Sequence, residues 1–533
     1  MHKSSNRGDA WEIISPDLTT NDTTRQKANT SGGLTYDATF AENYCTIITI
    51  APSSLQKGLI WVGTDDGNLQ LTTDGGKTWN NLIKNIKGVP PTTWITQIQA
   101  SKYNAGEAFV VFDNHRTNDW KPYVFRTKDF GKTWESVVND AKVGFCYAIA
   151  QDPEAPNLLF LGTEFGLYVS IDAGKNWTKW KHGYPTVPTM DLVIHPRDHD
   201  LAIGTFGRAI YILDDIRPLR AIAKEGTNVL EKPIKVFAAP DAYMAIYRQP
   251  NGKHDFQTDN LFMGENRPKG AMISFAFTPK DKEKKDSVKV EVLDATRKVI
   301  RTFKAPAKAG INRFQWELDQ KNIRFPSAPK PKADAPERGG MDILPGTYTV
   351  RVMYGEAKDS TNVTVKADPR SPITDAERKA RYEMTQQLMK PIEVATQAAD
   401  QLRAVNETIE LTTKQLGERE DEKARNVKKL GKEVQEKAKK LLYTLVPEPN
   451  IQGILRDPKV ITSVAGSALG YMSAAEGMPG PTEQTVFKQT VEAIKNALTP
   501  INAFFEKEWA AYRKAVTEAD PKLFQEIKPL KID

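Results

Sequence analysis

The chain has 533 residues, 39 % hydrophobic and 26 % charged, with a formal charge of +7, which argues for two to four folded domains and against disorder. No apolar run approaches the ~18 residues of a membrane span. The opening Met1-His2-Lys3-Ser4 lacks the apolar stretch of a secretory leader, so neither a membrane span nor a signal peptide is expected on this chain.

From the first residues a short phrase recurs: Ser or Thr, Asp two positions on, Gly two further, Trp three further. It reads Thr72-Thr73-Asp74-Gly75-Gly76-Lys77-Thr78-Trp79 and returns as Thr127-Lys128-Asp129-Phe130-Gly131-Lys132-Thr133-Trp134. A third copy is Ser170-Ile171-Asp172-Ala173-Gly174-Lys175-Asn176-Trp177, and a weakened one opens the chain, Ser4-Ser5-Asn6-Arg7-Gly8-Asp9-Ala10-Trp11. This is the chemistry of a turn between antiparallel strands. The Asp carboxylate is expected to accept from backbone N–H groups two or three residues on. The Gly takes a positive φ, and the Trp starts the next strand and packs its ring on the sheet. Asp74, Gly76, Trp79, Asp129, Gly131, Trp134, Asp172, Gly174 and Trp177 are therefore read as structural.

A second phrase precedes each turn. Leu59-Ile60-Trp61-Val62-Gly63-Thr64-Asp65-Asp66-Gly67 matches Leu158-Leu159-Phe160-Leu161-Gly162-Thr163-Glu164-Phe165-Gly166, and Leu201-Ala202-Ile203-Gly204-Thr205-Phe206-Gly207 is a third copy. A further strand lies upstream of each, as in Ile47-Ile48-Thr49-Ile50. Three or four short strands per unit, at a period of roughly 40–70 residues, describe a propeller blade. The two cysteines, Cys45 and Cys146, lie in such apolar runs and are read as small buried hydrophobes. These phrases resemble the Asp-box (BNR-repeat) propellers of sialidases, xyloglucanases, sortilin and photosystem II assembly factors. The likeness is greatest to the C-terminal half of large bacterial sortilin-like proteins of glycosyl hydrolase type. That resemblance implies a secreted, periplasmic or cell-surface location.

The expected architecture is multidomain: incomplete all-β propeller blades over 1–215, a connector over 216–232, an Ig- or fibronectin-like β-sandwich over 233–368 and an α-helical domain over 369–533. The first box lacks the strands that should precede it and the last blade closes without a box, about four and a half units where Asp-box propellers hold six or more. The missing blades point to a protein partner or a second propeller half. In the sandwich, Ala271 to Phe277, Ser287 to Leu293 and Gly346 to Met353 alternate apolar and polar residues. Thr374-Asp375-Ala376-Glu377 fits a capping box opening the helices. Leu388, Ile392, Ala395, Ala399, Leu402, Val405 and Ile409 form one helical stripe, and Phe487 to Val516 a stronger one. Both stripes read as mutual burial, with docking of a partner on Phe505, Trp509 and Tyr512 as the alternative. Pro391 and Pro500 should kink or interrupt their helices. Lys423 and Arg425 beside Glu418, Glu420 and Asp421 read as a solvated face rather than a nucleic-acid footprint.

Glycoside hydrolysis would need two carboxylates facing each other. Asp65, Asp66, Asp113 and Glu164 follow equivalent strands and are the catalytic candidates, though turn residues of this kind are more often solvated or capping. Sialidase chemistry would further need an arginine cluster and a Tyr–Glu pair, for which Arg116, Arg208, Arg248, Glu164 and Asp191 are available. His115, Arg116 and Arg208 are the binding candidates, His115 because Asp113-Asn114-His115-Arg116 breaks the repeat. His195 and His199 occupy a turn whose spacing fits no zinc pattern, so no metal and no cofactor is expected. The leading expectation is a non-catalytic binding scaffold of a secreted or envelope assembly. The alternatives are a polysaccharide-acting hydrolase or a sortilin-like peptide receptor, and the partner is a protein or a glycan.

Overall fold

Short apolar runs separated by Gly- and Asp-rich turns fold here as successive antiparallel meanders. The structure is a computed structural model describing residues 1–26, 44–138, 143–245, 267–279, 281, 286–332, 335–449 and 457–521. Strands β1 (His2–Lys3) and β2 (Glu12–Ile13) form a hairpin. Strands β3 (Ile47–Pro52), β4 (Ile60–Thr64), β5 (Leu69–Thr72) and β6 (Asn80–Asn81) form a four-stranded sheet in chain order. The same meander repeats in β7 (Trp94–Ala100), β8 (Ala108–Asp113), β9 (Tyr123–Thr127) and β10 (Glu135–Ser136), then in β11 (Cys146–Gln151), β12 (Leu159–Thr163), β13 (Gly166–Ser170) and β14 (Thr178–Lys179). The last sheet has three strands, β15 (Thr189–Ile194), β16 (Leu201–Thr205) and β17 (Ile210–Leu213).

First strands of successive sheets lie side by side. Ile98 N–H donates to Thr49 Oγ1 at 3.2 Å, and the amides of Ile149 and Gln151 donate to the side-chain oxygens of Gln97 and Gln99, both at 2.6 Å. Between the sheets the inward side chains interdigitate. Trp61, Leu69 and Leu71 meet Ile95, Ile98 and Phe112; Phe109 and Val111 meet Ile149 and Leu161; Phe160 and Leu167 meet Leu192 and Leu201. Fully burying each large ring or aliphatic chain contributes about 1.5–3 kcal/mol. Face-to-face stacking of meander sheets around their first strands is a propeller-type arrangement. Every first strand carries a bulge near its start, at Ile48, Thr96, Tyr147 and Met190, which the sequence pattern does not announce.

The connector is helical. Helix α1 (Arg217–Glu225) and the 3₁₀ turn after it bury Ile222 and Val229 with Phe237 and Ala276. Arg220, buried, donates from Nε to Asp152 Oδ2 at 2.7 Å and pairs with Glu154 at 2.9 Å. Strand β18 (Ile234–Val236) follows and pairs with the end of β20 (Ala271–Phe277), β19 (Ala242–Tyr243) lying between them in sequence. The remaining strands are β21 (Asp286–Leu293), β22 (Val299–Ala307), β23 (Gly310–Trp316), β24 (Asp319–Lys321), β25 (Gly339–Asp342), β26 (Gly346–Tyr354) and β27 (Ala357–Lys366). They give a three-stranded sheet β18-β20-β23, a five-stranded sheet β19-β27-β26-β21-β22 and the hairpin β24-β25. Two compact units result: Met1–Pro240 with Ser274–Lys284 and Lys308–Asn312, and Asp241–Ile273 with Lys285–Ala307 and Arg313–Asp533.

Within the second unit the helices are α2 (Asp375–Leu416), α3 (Glu422–Leu445), α4 (Ile461–Ala474), α5 (Pro481–Phe504) and α6 (Ala510–Ala519). Thr374 and Glu377 form the reciprocal capping box. Neither proline ends its helix: α2 runs through Pro391 and α5 through Pro500. A proline removes one backbone donor, and the flanking Leu388, Ile392 and Ala395, all at 0 % exposure, offset that loss by burial. The aromatic alternative is also corrected. Tyr512 is buried, Trp509 stacks on it at 5.5 Å, and Phe505 packs on the same core, so that face is used internally.

Candidate functional site

The boxes share one geometry. Thr72 and Asp74 exemplify it: the Gly76 amide donates to Thr72 Oγ1 at 2.9 Å and the Thr78 amide to Asp74 Oδ1 at 3.0 Å. Asp129 and Asp172 repeat both bonds, and Asn6 repeats the pattern in the opening copy. The bond therefore spans four residues instead of the expected two or three. Hydrogen bonds from Thr133 hold the Asp129 carboxyl low, at about 2. Two successive residues are left-handed in every copy. The glycine is one (φ +99° to +101° at Gly8 and Gly76, +77° at Gly131, +89° at Gly174), and its predecessor is the other, Arg7, Gly75, Phe130 or Ala173. The glycines of the last three copies also seat on the preceding strands. A Cβ would meet Ile14 O at 2.3 Å from Gly76, Leu82 Cδ1 at 2.5 Å from Gly131 and Val137 Cβ at 3.0 Å from Gly174. Trp79 and Trp177 donate their indole N–H to Ile14 O and Val137 O, while Trp134 donates to Gly131 O and meets Trp61 edge-on at 6.2 Å.

The candidate carboxylates follow β4, β8 and β12. Asp65 and Asp66 are buried rather than solvated. Asp65 Oδ1 accepts from Thr46 N–H at 2.7 Å, and Asp66 accepts from the Thr20 amide and hydroxyl at 2.6 and 2.7 Å and from Thr64 Oγ1. Burial, with the neighbouring Asp66 charge, raises the Asp65 carboxyl to about 6. Asp113, also buried, accepts from the His115 amide at 3.0 Å and lies 2.7 Å from His115 Nδ1.

A second group forms where β8 and β12 end. His115 stacks on Phe145 with ring centroids 4.5 Å apart, and the exposed Trp120 meets Phe145 edge-on at 5.4 Å. Tyr147, placed by the bulge of β11, donates from its hydroxyl to Glu164 Oε2 at 3.1 Å. Burial first, then the Glu164 charge, pushes the Tyr147 phenol well above its ordinary range. Exposed Arg116 lies over the Trp94 ring at 4.1 Å. The structure thus gathers Asp113, His115, Arg116 and Glu164 into one cluster with Trp94, Trp120, Phe145 and Tyr147, floored by the buried Asp113 and Phe145. The aromatic members escape the sequence reading because they come from two blades. Trp120 alone carries a signal, an aromatic in the loop that breaks the repeat.

The other candidates stand apart. Exposed Arg208 bonds its neighbour Gly207 O at 2.8 Å, and exposed Asp191 caps the Leu192 amide at 2.8 Å. Arg248 lies outside the described residues. His195 pairs with Asp198 and His199 with Glu154, each at 3.3 Å. Cys146 is fully buried, which raises its thiol, but Cys45 is not a strand hydrophobe: it is half-buried and left-handed at φ +70°, with Sγ accepting from Asp22 N–H at 3.2 Å.

No family model and no curated protein matches this sequence. Among solved structures, the chain is similar to a YCF48 bound to D1 peptide at 19 % identity, over 32 % of this chain and 50 % of that one, with a TM-score of 0.25. YCF48 from Cyanidioschyzon merolae gives 17 % identity, 32 % and 56 % coverage and a TM-score of 0.21. The GH74 xyloglucanase from Xanthomonas campestris gives 11 %, 57 % and 40 %, and 0.29. The chain spans 40–56 % of the length of these structures. The propeller-type assignment stands on the chain's own sheet order and register.

Proposed function

We propose that this chain is a non-catalytic binding scaffold whose blades present the surface of His115, Arg116, Trp120, Tyr147 and Glu164 to a protein partner. The observation that carries the reading is the engagement of the other carboxylates: Asp65 and Asp66 cap backbone amides and Asp113 faces His115. Among the described candidates that leaves Glu164 without a second carboxylate free to face it across a cleft, as hydrolysis requires. An exposed tryptophan with half-buried aromatic rings beside an arginine is the composition of an interaction surface. The five-stranded sheet and its neighbours over 233–368 serve, in this reading, as an Ig-like spacer, and the helices over 369–533 as a further docking module. A sortilin-type relationship and a secreted or envelope setting belong to the same proposal and rest on the sequence resemblance.

One observation favours a second reading, glycoside hydrolysis on a polysaccharide: the Tyr147–Glu164 hydrogen bond beside Arg116 is a Tyr–Glu pair of the kind sialidase chemistry requires. A glycan panel with reducing-sugar detection separates the two. The scaffold reading expects no turnover; turnover abolished by both Glu164→Gln and Tyr147→Phe would replace it with the hydrolase. For a partner identified by cross-linking through this surface, Trp120→Ala and Arg116→Ala are expected to weaken binding by about 1–2 kcal/mol or more each.

A further inference from the structure

We infer that the second compact unit holds a binding site for a small amphipathic anion, an aliphatic monocarboxylate with its charge on Arg378 and its chain among methionines. The site is built from residues other than those of the blade surface and does not depend on that reading. It is a cavity of about 740 Å³, within the size range of small-molecule sites, and its lining residues all belong to the one unit. Helix α2 supplies one wall. Arg378, Tyr382, Thr385 and Met389 recur there at three- and four-residue steps and so share one stripe of the helix that the Thr374 capping box starts. The end of α4 adds Gly470 and Met472, and strand β25 with the residue after it adds Met341, Asp342 and Ile343.

The cations along this cavity are not equivalent. Arg381 is engaged in holding the fold: Nε donates to Gly477 O at 2.8 Å, Nη1 to Met472 O at 3.0 Å and Nη2 to Glu483 Oε1 at 3.3 Å. Lys269 pairs with Asp342 at 2.9 Å. Arg378 differs. Its Nη2 donates to two neutral acceptors, Ser371 Oγ at 3.1 Å and Ile373 O at 3.2 Å, while its Nε is buried with no hydrogen-bond partner among the described residues. The acids nearest it are committed elsewhere, Glu377 to the capping box and Asp368 to Arg370 at 2.6 Å. Glu476, also on the lining, is exposed. A buried guanidinium N–H without an acceptor is costly, and the oxygen of an anion answers it with a charge-assisted bond. Tyr382 adds a second donor, since its hydroxyl reaches Gln320 Oε1 only at 3.5 Å, the long limit of a hydrogen bond.

One unanswered cationic donor calls for one negative charge, and the rest of the wall calls for hydrocarbon. Four of the chain's 11 methionines, Met244, Met341, Met389 and Met472, border the cavity. Met389 and Met472 are buried, as is Ile343 beside Met341. Unbranched thioether chains adapt to a flexible aliphatic ligand better than branched ones do. A dianion would need further free cations, and Arg381 and Lys269 are already paired. The ligand class is therefore a single carboxylate on an apolar chain.

Decanoate is the probe and decanol its uncharged counterpart, each titrated calorimetrically into the full chain below the concentration at which it self-associates. Saturable decanoate binding is expected, tighter than that of decanol by about tenfold or more. Arg378→Gln should erase that difference by weakening decanoate alone, a selective loss that unfolding cannot produce. Lys379→Gln, which removes an exposed charge one residue away, should leave both affinities unchanged. Gly470→Leu places a side chain where a Cβ meets nothing within 4 Å and should abolish binding of both ligands, with circular dichroism showing the same fold. Should Arg378→Gln not fold, the decanoate–decanol difference and Gly470→Leu decide. Absence of saturable decanoate binding overturns the inference, as does equal affinity for the two ligands. So does a loss in Lys379→Gln as great as in Arg378→Gln, or decanoate binding that survives intact in Gly470→Leu.

Discussion

Two neighbouring glycines separate the two demands a box makes on one residue. Gly75 and Gly76 both have positive φ, +80° and +101°, but a Cβ on Gly75 would find its nearest neighbour at 4.0 Å while one on Gly76 would strike a backbone oxygen at 2.3 Å. Gly75→Ala should therefore cost only the left-handed strain, about 1–2 kcal/mol. Gly76→Ala adds a backbone collision and should cost clearly more, read as a larger drop in the urea midpoint; equal losses would contradict the seam. Asp65 supplies a pH signature. Its raised folded value, about 6, means that between the ordinary carboxylate value near pH 4 and pH 6 the unfolded chain holds fewer protons than the folded one. Stability contributed by this group therefore falls as pH rises through that window. Asp65→Asn should flatten the decline, measured as urea midpoint against pH, and an unchanged slope would refute the assignment. At this scale the sequence announces the box glycine and aspartate but not the left-handed Phe130 and Ala173, whose types give no sign of a positive φ.

Among the elements, α1 is tied to the blades by a charge. Arg220 and Asp152 are 3 % and 0 % exposed, and Asp152 Oδ1 also caps the amides of Glu154 and Ala155. Arg220→Met leaves that carboxylate buried without its cation, and a loss of about 3–5 kcal/mol is expected in urea unfolding. Arg197→Ala, at an exposed pair with Asp198, should cost under about 1 kcal/mol and serves as the comparison. Strand positions and the capped start of α2 are legible because apolar periodicity and cap chemistry are local. The bulge at Tyr147 and the continuity of α2 through Pro391 are not, since pairing register and burial against distant residues decide both.

For the whole molecule, the chain crosses between its compact units more than once. The first unit recruits Ser274–Lys284, whose Phe275, Ala276 and Phe277 pair with Val236, Lys235 and Ile234. A fragment ending at Pro240 should consequently expose Ile234, Val236 and Phe237, bind a hydrophobic dye and melt below the corresponding transition of the full chain. An equal melting temperature without dye binding would show that β20 is dispensable. The candidate surface is half legible for a related reason: Asp113, His115 and Arg116 stand in the loop that breaks the repeat and Glu164 stands at the repeat position of Asp65, whereas Phe145 and Tyr147 acquire their role when the β11 sheet stacks on the β7 sheet.

The seating of the last three box glycines on the strands before them has a genetic corollary. Gly76, Gly131 and Gly174 rest on Ile14, Leu82 and Val137, three branched aliphatic residues at matching places just beyond an outer strand. The three joints thus set the same residue classes against each other, a box glycine on a branched aliphatic residue. An in-frame excision or duplication cut from one such joint to the next would again set a box glycine on a branched aliphatic residue, so the junction would keep its residue classes while the number of units changed.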